Sequence, residues 1–244
     1  MSTPPYDAIA EWNDGVPREN PLYQEVVLGN LLALVGDVAG QAVCDLACGQ
    51  GFVTRELARR GALVTGVDIS TRLLALARRY ETDEPLGIDY VEDDAQTLAT
   101  LPDAAFDGVS CSMALMNIPG LAACFGAVRR VLRPGGWFAW CITHPCFQAP
   151  HARWLDLPDG RVARVVAEYL EERDWRSDNP NGVRGRVAEA HRTLSTYLNT
   201  LAAAGFRLER LLEPPATGRR LAQAPGERGV PTLLLGRALA LADP

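Results

Sequence analysis

The sequence lacks the features that mark membrane, secreted and nucleic-acid-binding proteins. Its longest apolar stretch, around Val26 to Val35, is interrupted by Gly29 and Asn30 and is too short to span a bilayer. Residues Met1 to Asp14 contain neither a basic nor an apolar segment, so no signal peptide is expected. Basic residues do not predominate, since 24 Lys and Arg stand against 30 Asp and Glu, a formal net charge of −6. Because a phosphate backbone is bound by clustered cations, nucleic acid is not expected as a partner.

Cysteine pairs typical of zinc sites and disulfide frameworks are also lacking. The six cysteines form no C-x-x-C pair, and most lie inside apolar runs. We therefore expect buried thiols in a reducing cytoplasm, with neither a metal nor a disulfide. There is no internal repeat or low-complexity tract, and 244 residues can bury one sizeable core. The sequence thus predicts a single domain over 1–244.

From about residue 42, short apolar runs alternate with longer helical patterns, which is typical of an α/β fold with a parallel sheet and crossover helices. The predicted strands are 42–47, 62–68, 88–92, 106–111 and 137–143. The predicted helices are 52–60, 71–80 with Ser70 as N-cap, and 121–132, the last ending in the turn 133–136. A leading helix is expected at 21–35, within an N-terminal helical segment 1–40.

The pattern changes after residue 143. Residues 144–192 carry polar turns and scattered aromatic residues, which indicates an insertion that covers one end of the sheet as a lid. A helix at 195–204 and strands at 206–213 and 231–237 then complete the domain. The Pro- and Gly-rich stretch 214–230 is too long for a tight hairpin and is predicted to be a mobile loop.

A cofactor site is predicted where the first three strands end. The first strand ends in Asp45, and a Gly-x-Gly turn, Gly49 and Gly51, opens the next helix, where the backbone can approach a ligand closely. The second strand ends in Asp68, 17 residues after Gly51, where a carboxylate can accept hydrogen bonds from both ribose hydroxyls. The third strand is followed by Asp94. Acidic residues at the ends of three strands, all at one edge of the sheet, predict an adenosine-binding site.

These motifs resemble those of class I SAM-dependent methyltransferases (SAM, S-adenosylmethionine), in particular small-molecule members related to the quinone-methylating group. The resemblance rests on Asp45 to Gly51, on Gly66-Val67-Asp68, on Asp94-Ala95 and on the turn Arg133-Pro134-Gly135-Gly136 before the fifth strand. Residues around Tyr6 and Trp12 resemble the segment that closes over SAM in that group. The likeness covers about residues 1–143 and resumes near His191. It departs at Ala47, where a glycine often stands.

The resemblance implies a Rossmann-like, doubly wound sheet of seven strands with the last strand antiparallel between strands five and six. It implies SAM as the cofactor, with Asp45 near the methionine amino group, Asp68 on the ribose and Met113 facing the methionine end. The full set of cofactor-binding residues expected in this way is Tyr6, Asp45, Ala47, Gly49, Gly51, Asp68, Ile69, Asp94, Ala95 and Met113.

Methyl transfer from a sulfonium is an in-line displacement, so positioning supplies much of the rate and a catalytic base is optional. His144, directly after the fifth strand, is the first candidate base, and His191, at the end of the insertion, is the second. The insertion's aromatic residues suggest an apolar or aromatic small-molecule acceptor, although such residues also form small cores. They are Phe147, Trp154, Tyr169 and Trp175.

Two alternatives remain open on the sequence. An NAD(P)-dependent oxidoreductase would account for the glycine turn and Asp68, but not for Asp45 or the Asp94-Ala95 pair. A non-catalytic SAM-binding protein would keep every cofactor residue without turning over an acceptor. The acceptor, the methylated atom and the oligomeric state do not follow from the sequence.

Overall fold

The fold is organised by a seven-stranded sheet, seen in a computed structural model that describes residues 4–242. The strands of this sheet are β1 (Ala42–Leu46), β2 (Leu63–Asp68), β3 (Asp89–Glu92), β4 (Phe106–Ser112), β5 (Leu132–Thr143), β10 (Phe206–Leu212) and β11 (Leu233–Ala240). Four short strands of the insertion are β6 (Arg153–Asp156), β7 (Val162–Val165), β8 (Arg173–Trp175) and β9 (Glu189–His191). The helices are α1 (Ala10–Glu19), α2 (Leu28–Val35), α3 (Phe52–Arg59), α4 (Thr71–Asp83), α5 (Leu121–Val131), α6 (Val183–Arg186), α7 (Leu194–Ala203) and α8 (Gly218–Gln223).

The sheet order is β10-β11-β5-β4-β1-β2-β3, and the five strands from β5 to β3 run parallel. The last strand, β11, lies between β5 and β10 and is antiparallel to both. The expected class of fold, a doubly wound sheet whose last strand is antiparallel, is therefore confirmed.

Both faces of the central strands are buried, which explains their nearly continuous apolar sequences. In β5, Phe138, Trp140 and Ile142 join the core on one face of the sheet. Trp137, Ala139 and Cys141 alternate with them and join the core on the other face. This alternation is the period of two that every strand imposes on its side chains.

Most predicted elements are found within one to three residues of their expected ends. Ser70 is the N-cap of α4, and its hydroxyl accepts a hydrogen bond from Leu73 N at 3.2 Å, as expected. The larger difference is at β5, whose pairing with β4 already begins at Leu132. The register then jumps across the turn, from Phe106 opposite Leu132 to Gly108 opposite Trp137. The turn is thus a bulge within the strand.

The stretch 214–230, predicted to be a mobile loop, instead contains regular secondary structure. This stretch contains α8 and a 3₁₀-helix, Pro225–Arg228. Arg220 forms a bidentate ion pair with the buried Glu227, and Arg219 pairs with Glu25 at 2.8 Å. These charged contacts hold a segment that has few apolar residues of its own.

The segment before the sheet and the insertion each have internal structure. A 3₁₀-helix (Pro5–Ile9) precedes α1, and the expected leading helix begins as a π-helical stretch, Leu22–Val27, before it continues as α2. Residues 144–192 form two antiparallel pairs, β6 with β7 and β8 with β9, and the short helix α6. Among the described helices, none has the length and apolar character needed to cross a bilayer.

Candidate active site

A cleft of about 1140 Å³ opens at the carboxyl ends of β1, β2 and β4. This is the edge at which open α/β sheets bind ligands. Nine of the ten predicted cofactor residues line the cleft: Tyr6, Asp45, Ala47, Gly49, Asp68, Ile69, Asp94, Ala95 and Met113. The volume is sufficient for a drug-sized ligand such as a nucleoside derivative.

Gly51 is the exception, because it does not line the cleft. It is the residue before α3, with φ at +86°, and a Cβ there would lie 2.3 Å from the Tyr90 hydroxyl oxygen. The glycine is needed for the backbone turn and for packing against Tyr90, and not for direct approach to a ligand.

Asp45, at the end of β1, is fixed by two hydroxyl groups. Thr54 Oγ1 donates to Oδ2 and Ser110 Oγ donates to Oδ1, both at 2.6 Å. Burial raises the pKa of Asp45 to about 6, although these two hydrogen bonds lower it. A cationic group in the cleft would favour the ionised form of this carboxyl.

Asp68, at the end of β2, holds the glycine turn. Its Oδ2 accepts from Gly49 N and its Oδ1 from Ser70 N, each at 2.8 Å. Each carboxylate oxygen can accept a second hydrogen bond, so the pair of oxygens suits two neighbouring sugar hydroxyls. Burial raises the pKa of Asp68 above its ordinary value. The residues present at this strand end therefore fit the ribose of SAM.

The loop after β3 forms the far end of the cleft. Asp94 Oδ1 accepts from Gln96 N at 2.8 Å, and the Gln96 side chain in turn accepts from Gly120 N at 2.9 Å. Ile69, which follows β2, is 49% exposed and leaves an apolar surface on which a flat ring can pack. These groups fit an adenine ring.

Two residues of the cleft have left-handed backbone conformations that side chains rarely adopt. Ala47 has φ at +53° and Met113 has φ at +56°. Glycine would adopt the conformation of Ala47 at a lower cost in free energy, which explains why glycine is frequent at this position of the motif. Strained backbone of this kind is concentrated at functional sites in proteins.

The N-terminal segment closes one side of the cleft. The Tyr6 hydroxyl donates to Asn117 Oδ1 at 3.2 Å, and the buried Asp7 accepts hydrogen bonds from Ser70 Oγ and from Arg72 N. The ring of Trp12 lies 4.2 Å from the Arg186 guanidinium carbon of the insertion. The segment and the insertion therefore meet over the strand ends.

Neither predicted histidine base lines the cleft. His144 is buried; its Nδ1 accepts from Cys146 N at 3.2 Å, and its Nε2 lies 2.7 Å from Glu213 Oε1. His191 is also buried, and its Nε2 lies 2.8 Å from the Tyr169 carbonyl oxygen. The structure thus gives both rings contacts that hold loops together and does not bring either ring to the acceptor side of the cleft.

The insertion's aromatic side chains do not line the large cleft either. The guanidinium carbon of Arg164 lies 4.8 Å from the ring centre of Trp154, and that of Arg184 lies 5.4 Å from the ring centre of Trp175. Phe147 packs on His144. The aromatic residues that line the cleft are Tyr6, Trp12, Tyr23 and Phe52. The aromatic surface of the cleft therefore comes from the N-terminal half of the chain and not from the insertion.

Sequence reasoning missed Glu189, the first residue of β9. Its side chain lines the cleft, is only 6% exposed, and burial raises its pKa to about 7. No strand end of the main sheet and no motif marks this position. The only signal was its place at the end of the insertion, which by itself does not predict where a side chain will point.

The cleft is acidic. Its charged lining residues are seven acids (Glu11, Glu19, Asp45, Asp68, Asp93, Asp94 and Glu189) and two arginines (Arg184 and Arg220). Such a surface favours a ligand with a positive charge, as a sulfonium with an amino group has, and disfavours a pyrophosphate.

Comparison with known proteins identifies the class of fold and then the family. A family model described as a methyltransferase domain matches residues 44–140. The crystal structure of an S-adenosylmethionine-dependent methyltransferase from Mesorhizobium loti is 31% identical and superposes with a TM-score of 0.76, over 91% of this chain and 99% of that one. The chain belongs to the family of SAM-dependent methyltransferases.

Several curated relatives have functional names. Ubiquinone biosynthesis O-methyltransferases are 36% identical over 100 residues in Paraburkholderia phytofirmans and 35% identical over 133 residues in Pseudomonas paraeruginosa. These matches cover 41% and 54% of this chain and 43% and 57% of the relatives. The chain thus spans about half the length of the curated relatives that it matches.

Proposed function

We propose that this chain transfers a methyl group from SAM to a small-molecule acceptor with an apolar or aromatic body. The observation that carries the proposal is the meeting of Asp45, Asp68 and Asp94 in one cleft, each at the end of a neighbouring parallel strand. The family to which the chain belongs and the names of its O-methyltransferase relatives support the same activity.

When bound, SAM supplies a methyl group on a positively charged sulfur. The chain's own residues would bind and orient the substrates. Asp68 would accept hydrogen bonds from the ribose hydroxyls. Asp45, which is held in place by hydrogen bonds from Thr54 and Ser110, would balance the positive charge of the methionine amino group. Alignment of the reacting atoms in a closed cleft accounts for a large part of the rate in such displacements.

The insertion and the N-terminal segment would act together as the cover of this site. The support is the contact of Trp12 with Arg186 and the bridge through Asn117, whose side chain binds both the Tyr6 hydroxyl and the Ala188 carbonyl oxygen of the insertion. Closure would exclude water and strengthen the electrostatic contacts within the cleft. A cytoplasmic location belongs to the same proposal and is supported by six cysteines that are all free thiols.

Calorimetry with SAM, S-adenosylhomocysteine, NAD and NADP tests the cofactor. The two sulfur compounds should bind, and Asp68→Ala should weaken them by ~10-fold or more, about 1.4 kcal/mol, because two hydrogen bonds to the ribose are lost. Asp89→Ala is the matched control, since Asp89 is an exposed acid at the start of β3 and outside the cleft. Binding of a nicotinamide cofactor alone would replace the proposal with the oxidoreductase alternative.

Methyl transfer is tested by incubating the protein with labelled SAM and a panel of phenols, amines and thiols. Labelled methyl product from any one of these chemical classes would establish that the protein is a working methyltransferase. Tight binding of S-adenosylhomocysteine with no transfer to any member of the panel would favour the non-catalytic alternative instead.

A further inference from the structure

Glu189 is a carboxyl group of the cleft that the adenosine site does not use. It is 6% exposed, and its Oε1 is buried without a hydrogen-bond partner among the described residues. The nearest cation, Arg184 Nε, lies 3.1 Å from Oε1 but is not in hydrogen-bonding geometry. Oε1 thus has an ion-pair partner but no hydrogen bond, and a buried acceptor without a hydrogen bond is costly.

The backbone around Glu189 is held firmly. Glu189 pairs with Trp175 across β8 and β9, and Asn117 Nδ2 donates to the neighbouring Ala188 carbonyl at 3.3 Å. The buried Arg192 guanidinium donates to three carbonyl oxygens of the loop that follows β4, those of Leu115, Ile118 and Pro119. The carboxyl is therefore positioned by the main sheet as well as by the insertion.

Glu189 lines the same cleft as Tyr6 and Met113. The side chain of Asn117 joins Tyr6 to the residue before Glu189, because its Oδ1 accepts from the Tyr6 hydroxyl at 3.2 Å and its Nδ2 donates to the Ala188 carbonyl at 3.3 Å. Met113 is the residue that the family resemblance assigns to the methionine end of SAM.

Tyr6, Tyr23 and Asp45, which line the same cleft, are not free to take up a proton at neutral pH. Burial raises the pKa of Tyr23 to about 12 and raises that of Tyr6 further, so both stay protonated. Both oxygens of Asp45 already accept hydrogen bonds from Thr54 and Ser110. Glu189, by contrast, has an oxygen without a hydrogen bond. The charged and titratable groups that interact with it electrostatically are Arg184, Tyr6, Tyr23 and Tyr197.

We propose that Glu189 is the catalytic base and that the acceptor is a hydroxylated small molecule, with a phenol as the simplest case. The inference rests on the proposed function. The acceptor oxygen forms a bond to the methyl carbon while the carbon–sulfur bond breaks, and the sulfur keeps that electron pair as a thioether. The hydroxyl proton passes to the Glu189 carboxylate, and the neutral carboxylic acid later releases it to water.

The environment of Glu189 suits this role in two ways. A base is most effective when its pKa lies near the working pH, and burial brings this carboxyl to about 7. Tyr6, Trp12, Tyr23 and Phe52 supply aromatic surface in the same cleft for the body of a phenol.

Carbon-13 NMR of protein labelled at the glutamate side-chain carboxyl tests the base without turnover. One carboxyl signal should titrate near pH 7 and should be absent in Glu189→Gln. With S-adenosylhomocysteine bound, 4-nitrocatechol should shift this signal because its hydroxyl donates to the Glu189 carboxylate, while 1,2-dimethoxy-4-nitrobenzene, which has no hydroxyl, should not. Titration near 4.5 or no response to the hydroxyl probe would overturn the proposal.

Kinetics with the acceptor panel gives the second readout. In the wild type, kcat for phenols should rise with pH through about 7, because only the ionised carboxylate accepts a proton. Glu189→Gln should lower kcat by ~10²-fold or more and lose this rise, with unchanged affinity for S-adenosylhomocysteine. Glu171→Gln, an exposed glutamate of the same insertion, should behave as wild type.

The two proposals fail in different ways. Loss of SAM binding in the wild type refutes the methyltransferase function, whereas the NMR titration of Glu189 does not depend on it. Transfer to amines but not to hydroxyls would leave the methyltransferase function standing and overturn the role of Glu189 as a base for hydroxyl acceptors.

Discussion

At the scale of single residues, the cleft keeps carboxyl groups in surroundings that oppose their ionisation. Asp45 and Glu189 are both nearly inaccessible to water, and burial is the largest cause of their raised pKa values. Their charged forms cost free energy when no ligand is bound. A cationic cofactor would reduce this cost at Asp45, and an acceptor that donates a hydrogen bond would reduce it at Glu189.

A first prediction concerns stability and pH. The pKa of Glu189 is raised from 4.5 to about 7 in the folded chain, so the folded chain holds more protons than the unfolded chain between these values. Stability should therefore fall as the pH rises through this window. Glu189→Gln should be more stable than the wild type by about 1–3 kcal/mol at pH 8, and by less than about 1 kcal/mol at pH 5, since one pKa unit corresponds to about 1.4 kcal/mol.

Urea unfolding at the two pH values measures this difference, with Glu171→Gln as the control that removes an exposed carboxylate from the same insertion. Equal stability of Glu189→Gln and wild type at both pH values would show that Arg184 compensates the buried charge in full.

The residues at the strand ends could be predicted, but the residues of the insertion could not. Asp45, Asp68 and Asp94 follow apolar strands, and parallel strands bring such positions to one edge whatever the rest of the chain does. Glu189 and His144 depend on how the insertion folds. His144 has the right residue type at a strand end, yet its hydrogen bonds to Cys146 and Glu213 turn the ring away from the cleft.

At the scale of elements, tight contacts between neighbouring strands depend on glycine. In β4, Gly108 lies opposite Trp137 of β5, and the indole ring covers its Cα. A Cβ at Gly108 would lie 1.9 Å from Trp137 Cε2. The indole cannot move away easily, because its Nε1 donates to Gln41 Oε1 at 2.9 Å.

Gly108→Ala should therefore destabilise the protein by about 2 kcal/mol or more, as overpacking of a well-filled core does. Gly126→Ala is the matched control, because Gly126 is in the middle of α5 and a Cβ there meets no atom within 4 Å. That substitution should stabilise the chain by about 0.5–1 kcal/mol. Urea unfolding of both variants gives the comparison, and similar effects of the two would show that packing on Trp137 is unimportant.

The sequence predicted where strands and helices lie better than it predicted irregular segments. Short, nearly continuous apolar runs locate β1, β2 and β4, because strands that are buried on both faces need apolar residues at almost every position. The residues 214–230 have no such pattern, since their structure depends on pairs such as Arg220 with Glu227 that form only after folding. The bulge in β5 was missed for a similar reason, as it follows from the register against β4.

At the scale of the whole molecule, the N-terminal segment links residues far apart in sequence. Asp7 is 8% exposed and accepts from Ser70 Oγ and Arg72 N at the start of α4, while its carbonyl oxygen accepts from Arg72 Nη1 at 3.2 Å. Through these contacts the segment is held next to Asp68, the residue proposed to bind the ribose. Closure of the segment and binding of SAM should then be coupled.

Asp7→Ala tests this coupling. Loss of the carboxylate removes the anchor to Ser70 and Arg72, but Ser70 still caps α4, so the main sheet should remain folded. Hydrogen exchange of the amides at 5–19 should become faster, and the Kd for S-adenosylhomocysteine should increase by ~10-fold, because the ligand must then order the segment as it binds. Asp83→Ala, which removes an exposed acid from the other end of α4, should change neither quantity. If exchange at 5–19 accelerates while the affinity is unchanged, the segment covers the cleft without contributing to binding, and the closure proposed for it is wrong.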